Sequence, residues 1–326
     1  MKIIRFLKYI PIILINYILI FFLIYIISGF LLIKNITPDF KLITEYQRNF
    51  YLQGGLRNIW QSREECVKFD EDLVFVPGIT SCNFKNLEFD TKLNFDNLGR
   101  YSEHPKTNTK GIAVIGDSHA MGWGVNDNET FSFLLEKKIQ RPVYNLAVSG
   151  YGTVREIIRL EKSGLLDKVD TIIIQYCYND VGENLNFKIN NYENAKEKFD
   201  MMVTSKPVSN FRKLRKAVRY SATIPIDIIT KKNQLLDFDG HKTVLFDVLS
   251  DFPSLNNKKI LIFYTNGFNM KFFNFPKGKS NKMDNVHFLD INMGEEFFFK
   301  IDGHLTHYGH SFIAKEISRQ LNQYSN

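Results

Sequence analysis

The chain has 326 residues, which suits a leader plus one or two domains, and its 44% hydrophobic content can supply a sizeable core. Its 42 basic and 35 acidic residues leave a formal charge of +7. No basic stripe is interleaved with aromatics, which argues against a nucleic-acid partner and leaves attraction to an anionic envelope polymer open.

Residues 10–33 are almost wholly apolar and follow Lys2, Arg5 and Lys8. As a helix they would reach about 36 Å, enough for a bilayer core of roughly 30 Å. The charge bias predicts residues 1–9 in the cytoplasm, 10–33 as an uncleaved transmembrane signal anchor, and the rest outside. A cleaved signal peptide is the rival, but its apolar stretch should be shorter and end in a small-x-small site, which is missing here. Residues 34–110 read as an extracytoplasmic lead-in, irregular or with short strands and with turns at Pro77-Gly78 and Asn97-Gly99. Cys66 and Cys82 lie in it. An oxidising compartment allows a disulfide between them; two buried free thiols are the alternative.

From Gly111 strands and helices alternate. Strands are expected at Ile112–Ile115, Val143–Val148, Thr171–Cys177 and Lys259–Tyr264, with a fifth over Val286–Ile291. Helices are expected at Glu129–Ile139, Thr153–Leu166 and Tyr308–Leu321. Short apolar strands alternating with helices predict a three-layer α/β/α domain over 111–326 with a mostly parallel, flavodoxin-like sheet. A long insertion, about 181–255, separates the third and fourth strands. Two helices are expected in it, Asn194–Met202 and Val208–Tyr220. The second is basic on one face, and can lie on a membrane, form a lid or pack as an ordinary solvated helix. His241 in the same insertion reads as a surface residue.

Four segments carry chemistry. Gly116-Asp117-Ser118-His119, Ser149-Gly150 and Tyr178-Asn179-Asp180 each follow a strand, where α/β sheets bind ligands. Asp302-Gly303-His304 precedes the last helix. Ser118 offers a hydroxyl that needs a neighbouring base to become a nucleophile. Gly150, through its N–H, and Asn179, through its amide, can hold an oxyanion. His304 can act as base and then acid, with Asp302 fixing its tautomer. Singly, each has a plainer reading: a helix cap, a turn glycine, a strand-end asparagine, a polar loop. His304, His307 and His310 recur every three residues, unlike the i, i+4 pair of helical zinc sites, and no metal or cofactor is expected.

Together the blocks GDSHAMGWGV, NLAVSGYG, CYND and DGHLTHYGH resemble the signature of the SGNH (GDSL-type) hydrolase superfamily, over roughly Gly111 to Leu321. The resemblance implies Ser118 as nucleophile, the N–H groups of Ser118 and Gly150 with Asn179 as oxyanion hole, and His304 as base oriented by Asp302. One departure is that a single residue separates Asp302 from His304, where the family usually has two.

The expectation is a membrane-anchored serine esterase acting through an acyl-serine on O-acyl, chiefly O-acetyl, esters of envelope glycans. Its substrate would be an acylated carbohydrate or a lipid ester, its membrane contact the N-terminal helix. The alternatives are an O-acyltransferase of surface glycans, a lipid-directed esterase and a non-catalytic glycan-binding protein.

Overall fold

A computed structural model describes residues 9–34, 36, 41–54, 57–190, 194–204, 209–219, 237–265 and 274–323. Lys2, Arg5 and Lys8, and parts of the long insertion (191–193, 205–208, 220–236), lie outside the described residues. The chain divides into two compact units, Met1–Asn58 with Lys206–Lys232, and Ile59–Ser205 with Asn233–Asn326.

The larger unit is built on a nine-stranded sheet. In chain order its strands are β3 (Ser81–Lys85), β4 (Asp90–Asp96), β5 (Gly99–Arg100), β6 (Gly111–Gly116), β7 (Val143–Asn145), β8 (Val169–Tyr176), β9 (Lys259–Tyr264), β10 (Gly278–Lys279) and β11 (Val286–Phe288). Across the sheet the order is β10-β11-β9-β8-β6-β7-β5-β4-β3. The five strands β11, β9, β8, β6 and β7 run parallel, while β10 on one side and β5, β4 and β3 on the other pair antiparallel. A separate hairpin joins β1 (Val67–Asp70) to β2 (Val74–Pro77).

The parallel strands are buried on both faces, as their unbroken apolar runs predict. Alternate residues serve opposite layers. Ile112, Val114, Ile173, Leu261 and Phe263 pack with Phe131 and Leu135 of helix Phe131–Ile139 and with Ile313 and Ile317 of helix His307–Gln323. Ala113, Ile115, Ile172, Ile174, Ile260 and Ile262 pack with helices Thr153–Lys162 and Phe238–Ser250 through Ile157, Leu160, Leu245 and Leu249. Burying each such Ile or Leu is worth roughly 1.5–3 kcal/mol. This is the three-layer α/β/α arrangement expected. The chain leaves β6 toward β7 on one side and returns on the other through β8, so the loops after these strands border a topological switch point.

The lead-in departs from expectation in two ways. Residues 59–110 fall in the same compact unit as the parallel strands, and β5 pairs with β7, so one sheet runs through both. The alternation of Ser81–Lys85, with Cys82 and Phe84 buried and their neighbours exposed, is what lets β3 face that core. Cys66 and Cys82 form a disulfide. The second departure is a helix, Lys41–Gly54, where no helix was expected.

That helix belongs to the smaller unit, with the apolar helix Ile10–Lys34 and a helix over 210–219 inside the basic stretch. Leu32, Phe50 and Ala217 form its small core. Ile10–Lys34 is the one helix among the described residues long and apolar enough to cross a membrane.

Candidate active site

The nucleophile candidate sits where β6 gives way to a single helical turn, Ser118–Met121. Gly116 is glycine by necessity: a Cβ there would stand 2.7 Å from Ala120 Cβ and 2.9 Å from Gln175 Oε1. Asp117 caps the turn by accepting the His119 N–H at 2.9 Å. Gln175, from the adjacent strand β8, accepts the N–H groups of Asp117 and Ala120, each at 3.2 Å. Burial pushes the Asp117 carboxyl up, and the His119 N–H pulls it back.

His304 is delivered by a tight loop ahead of the closing helix. Phe298 and Leu305 form an antiparallel bridge, and Gly303 between them holds φ of +83°, a region a side chain disfavours. This bend folds Asp302 and His304 toward each other across one intervening residue. Asp302 Oδ1 meets His304 Nδ1. His304 Nε2 lies 2.7 Å from Ser118 Oγ. With the proton on Nδ1, His304 donates to Asp302, and Nε2 is free to accept from Ser118. Asp302 and His304 are 2% and 8% exposed, while Ser118 is half-buried and reachable.

Gly150 and Asn179 lie on the loops after β7 and β8, the two strands that flank β6. The Gly150 turn is closed by the Tyr151 N–H on Val148 O at 3.1 Å and tied to the nucleophile turn by the Ser149 N–H on Met121 Sδ at 3.4 Å. Arg155 donates to Gly150 O, while its other nitrogens reach Leu73 O and Glu183. Beside Asn179, Asp180 Oδ2 accepts the Cys177 N–H at 3.1 Å. Burial, then the charge of Asp117, pushes the Asp180 carboxyl well above the usual range. Asn179 itself is exposed at the rim.

A family model of the GDSL-like lipases and acylhydrolases matches residues 112–317. The chain belongs to that family. No curated protein matches it. Among solved structures it is similar to a protein from Desulfitobacterium hafniense described as lipolytic and of the G-D-S-L family, at 13% identity and TM-score 0.32, over 65% of this chain and 99% of that one. It is similar to a family two carbohydrate esterase from Clostridium thermocellum, solved with cellohexaose, at 11% identity and TM-score 0.35, over 68% and 66%. A lipase/acylhydrolase from Enterococcus faecalis follows at 14% identity and TM-score 0.29, over 66% and 97%. Membership in the GDSL-like family makes this a protein of ester-bond hydrolysis.

The GDSL-like segment contains all four blocks, yet side chains outside it also reach them. The short turn Trp60–Ser62, anchored by fully buried Trp60, brings Gln61 over the second block, where Ser149 Oγ donates to Gln61 Oε1 at 3.5 Å. Arg100 of β5, also fully buried, pairs with Asp127 and donates to Met121 O at 2.9 Å and Val125 O at 2.8 Å. Neither residue carries a sequence signal. Gln175 does, as the one amide in the apolar strand β8.

The other histidines differ in their surroundings. The His119 ring lies against that of His304, with centroids 4.7 Å apart and planes tilted by 31°. His241 is not a simple surface residue: its Nδ1 lies 3.0 Å from Tyr176 Oη and it is half-buried. His307 is exposed beside Tyr308, and His310 is buried with Nδ1 accepting the Phe131 N–H at 3.1 Å. His304, His307 and His310 thus face three different environments.

Proposed function

We propose that the chain is a serine esterase that forms an acyl-Ser118 intermediate and acts on O-acyl esters, chiefly O-acetyl, of cell-envelope glycans. One observation carries the reading: the 2.7 Å contact of Ser118 Oγ with His304 Nε2, backed by Asp302 on Nδ1. As Oγ attacks the ester carbon, its proton passes to Nε2, and the Asp302 carboxylate stabilises the resulting imidazolium. The N–H groups of Ser118 and Gly150, with the Asn179 amide, receive the carbonyl oxygen as it becomes an oxyanion. Collapse breaks the bond to the leaving alcohol, which takes the proton from Nε2. Water, deprotonated by His304, then releases the acid and restores Ser118.

The glycan class rests on address. Helix Ile10–Lys34 is compatible with anchoring in a membrane. The Cys66–Cys82 disulfide suits an oxidising compartment outside the cytoplasm. A sugar hydroxyl admitted in place of water would make the same acyl-serine a transferase.

The test uses the full chain in detergent with p-nitrophenyl acetate and a long-chain ester, Ser118→Ala as control, and mass spectrometry of trapped acyl-enzyme. Short-chain turnover and an adduct on Ser118, both lost in Ser118→Ala, are expected. Preference for the long chain redirects the substrate to lipid esters. An adduct that forms and transfers only to sugar hydroxyls identifies a transferase. A folded protein with neither turnover nor adduct sinks the reading.

A further inference from the structure

Glu88 lies on the turn between β3 and β4, outside the segment that matches the GDSL-like family. Its Oε2 accepts two backbone N–H groups, from Ile301 at 2.9 Å and from Asp302 at 2.6 Å. Both donors are buried, and one belongs to the residue that faces His304. The turn bearing Glu88 is itself held in place. Asn86 N donates to Phe89 O at 2.9 Å, and the Phe89 ring contacts Trp123 after the nucleophile turn and Phe299 on the acid loop.

We propose that Glu88 is a positioning residue for the Asp302–His304 pair, holding the backbone of the acid loop so that Asp302 meets His304 Nδ1. The proposal rests on the serine-esterase reading of the site. It adds a residue from the lead-in to a machinery otherwise drawn from the four blocks. The physical reason is the shape of the loop. Asp302 and His304 are separated only by Gly303, a residue with little conformational preference of its own. The direction of the Asp302 side chain is therefore set by where its backbone is pinned. A carboxylate bridging two successive N–H groups fixes that backbone in both position and tilt, as anion-binding backbone concavities do. A misplacement of about 1 Å at a reacting group can cost roughly 100-fold in rate.

Several groups surround the pair and share its electrostatics. The His119 ring lies against that of His304 from the nucleophile turn, Asp117 interacts with its charge from the same turn, and His310 does so from the closing helix. Of the described hydrogen bonds to the Ile301 and Asp302 N–H groups, those of Glu88 are made by a side chain outside the loop.

The experiment measures the rate at which a fluorophosphonate probe labels Ser118 in the full chain, for wild type, Glu88→Ala, Glu88→Asp and Glu88→Gln. The far-downfield proton resonance of the His304–Asp302 hydrogen bond is recorded on the same samples, with Tm as a fold control. Glu88→Ala and Glu88→Asp, which withdraw the acceptor, are expected to slow labelling about 10- to 100-fold and to shift or broaden the resonance. Glu88→Gln, which keeps an acceptor oxygen in reach, is expected to label within about threefold of wild type and to retain it. Should Glu88→Ala fail to fold, the contrast between Glu88→Asp and Glu88→Gln decides. Wild-type labelling with an unmoved resonance in Glu88→Asp overturns the proposal, as does equal loss in Glu88→Gln with unchanged Tm. If the wild type itself is not labelled at Ser118, the esterase reading fails instead, and the resonance still reports what Glu88 does to the pair.

Discussion

Gln175 Oε1 binds the Asp117 N–H from a different strand, 58 residues away in sequence, and takes the Ala120 N–H with the same oxygen. One side chain of β8 thus sets the turn on which Ser118 stands. Gln175→Leu fills similar volume but leaves two buried N–H groups without an acceptor, a cost on the order of 1–3 kcal/mol for each. Esterase activity should fall about 10- to 100-fold, chiefly in kcat, with a measurable loss of Tm. Unchanged kcat in a folded variant would show that the turn holds itself.

Asp302→Asn keeps the volume of the acid but favours the wrong imidazole tautomer. If the proposed triad operates, kcat should drop roughly 10³–10⁴-fold while the fold is kept, as in Ser-His-Asp sites generally. A drop of less than tenfold would mean that another acid orients His304, despite the Asp302–His304 contact.

Glu156 is 1% exposed, and neither of its carboxyl oxygens has a hydrogen-bond partner among the described residues. Burial, then the charges of Asp180, Asp117 and Glu183, push its carboxyl well above the usual range. An unfolded Glu ionises near pH 4.3, whereas the folded one keeps its proton to higher pH. The folded state therefore binds the extra proton across that window, and its stability falls as pH rises through it, by up to about 1.4 kcal/mol per pH unit. Glu156→Gln should leave Tm nearly unchanged near pH 4 and raise it at pH 7. A lower Tm at pH 7 would mean that the ionised carboxylate is satisfied by groups such as water.

His310 works in the opposite sense. Burial, then the charge of Arg100, pulls its imidazole down to about 3, and Nδ1 must stay unprotonated to accept the Phe131 N–H. The unfolded chain takes up a proton near pH 6.5, and the folded one does not until about 3. Stability is thus lost on acidification from about pH 6.5 downward, again at up to roughly 1.4 kcal/mol per pH unit. His310→Asn keeps an acceptor but cannot titrate, so Tm should decline less steeply between pH 6.5 and 4. An identical decline would assign the acid lability to other groups.

The candidate site was legible as a set of motifs because it is local. Ser118, Gly150 and Asn179 each lie within a few residues after a strand whose apolar run is visible, and Asp302 with His304 fits in three residues. The supports were not legible. Glu88, Arg100 and Gln61 act on residues 21 to 214 positions away, and a hydrogen bond at such separation leaves no periodic trace in the sequence. Helix Lys41–Gly54 was missed for a different reason. Phe50 shares its small core with Leu32 of the preceding apolar helix and with Ala217, 167 positions later, so no pattern within the segment itself announces its buried face. The basic helix was visible, but not that its Ala217 would be enclosed.

The pairing of β5 with β7 has a consequence for solubility. Without β5, which pairs with β7 at Arg100 and Asn145, β7 would end the parallel strands on an open edge, a template for a second molecule to add a strand. A chain shortened to begin at Gly111 would keep all four blocks and still bare that edge. It should associate into oligomers or precipitate, whereas one beginning at Ile59 keeps the edge covered.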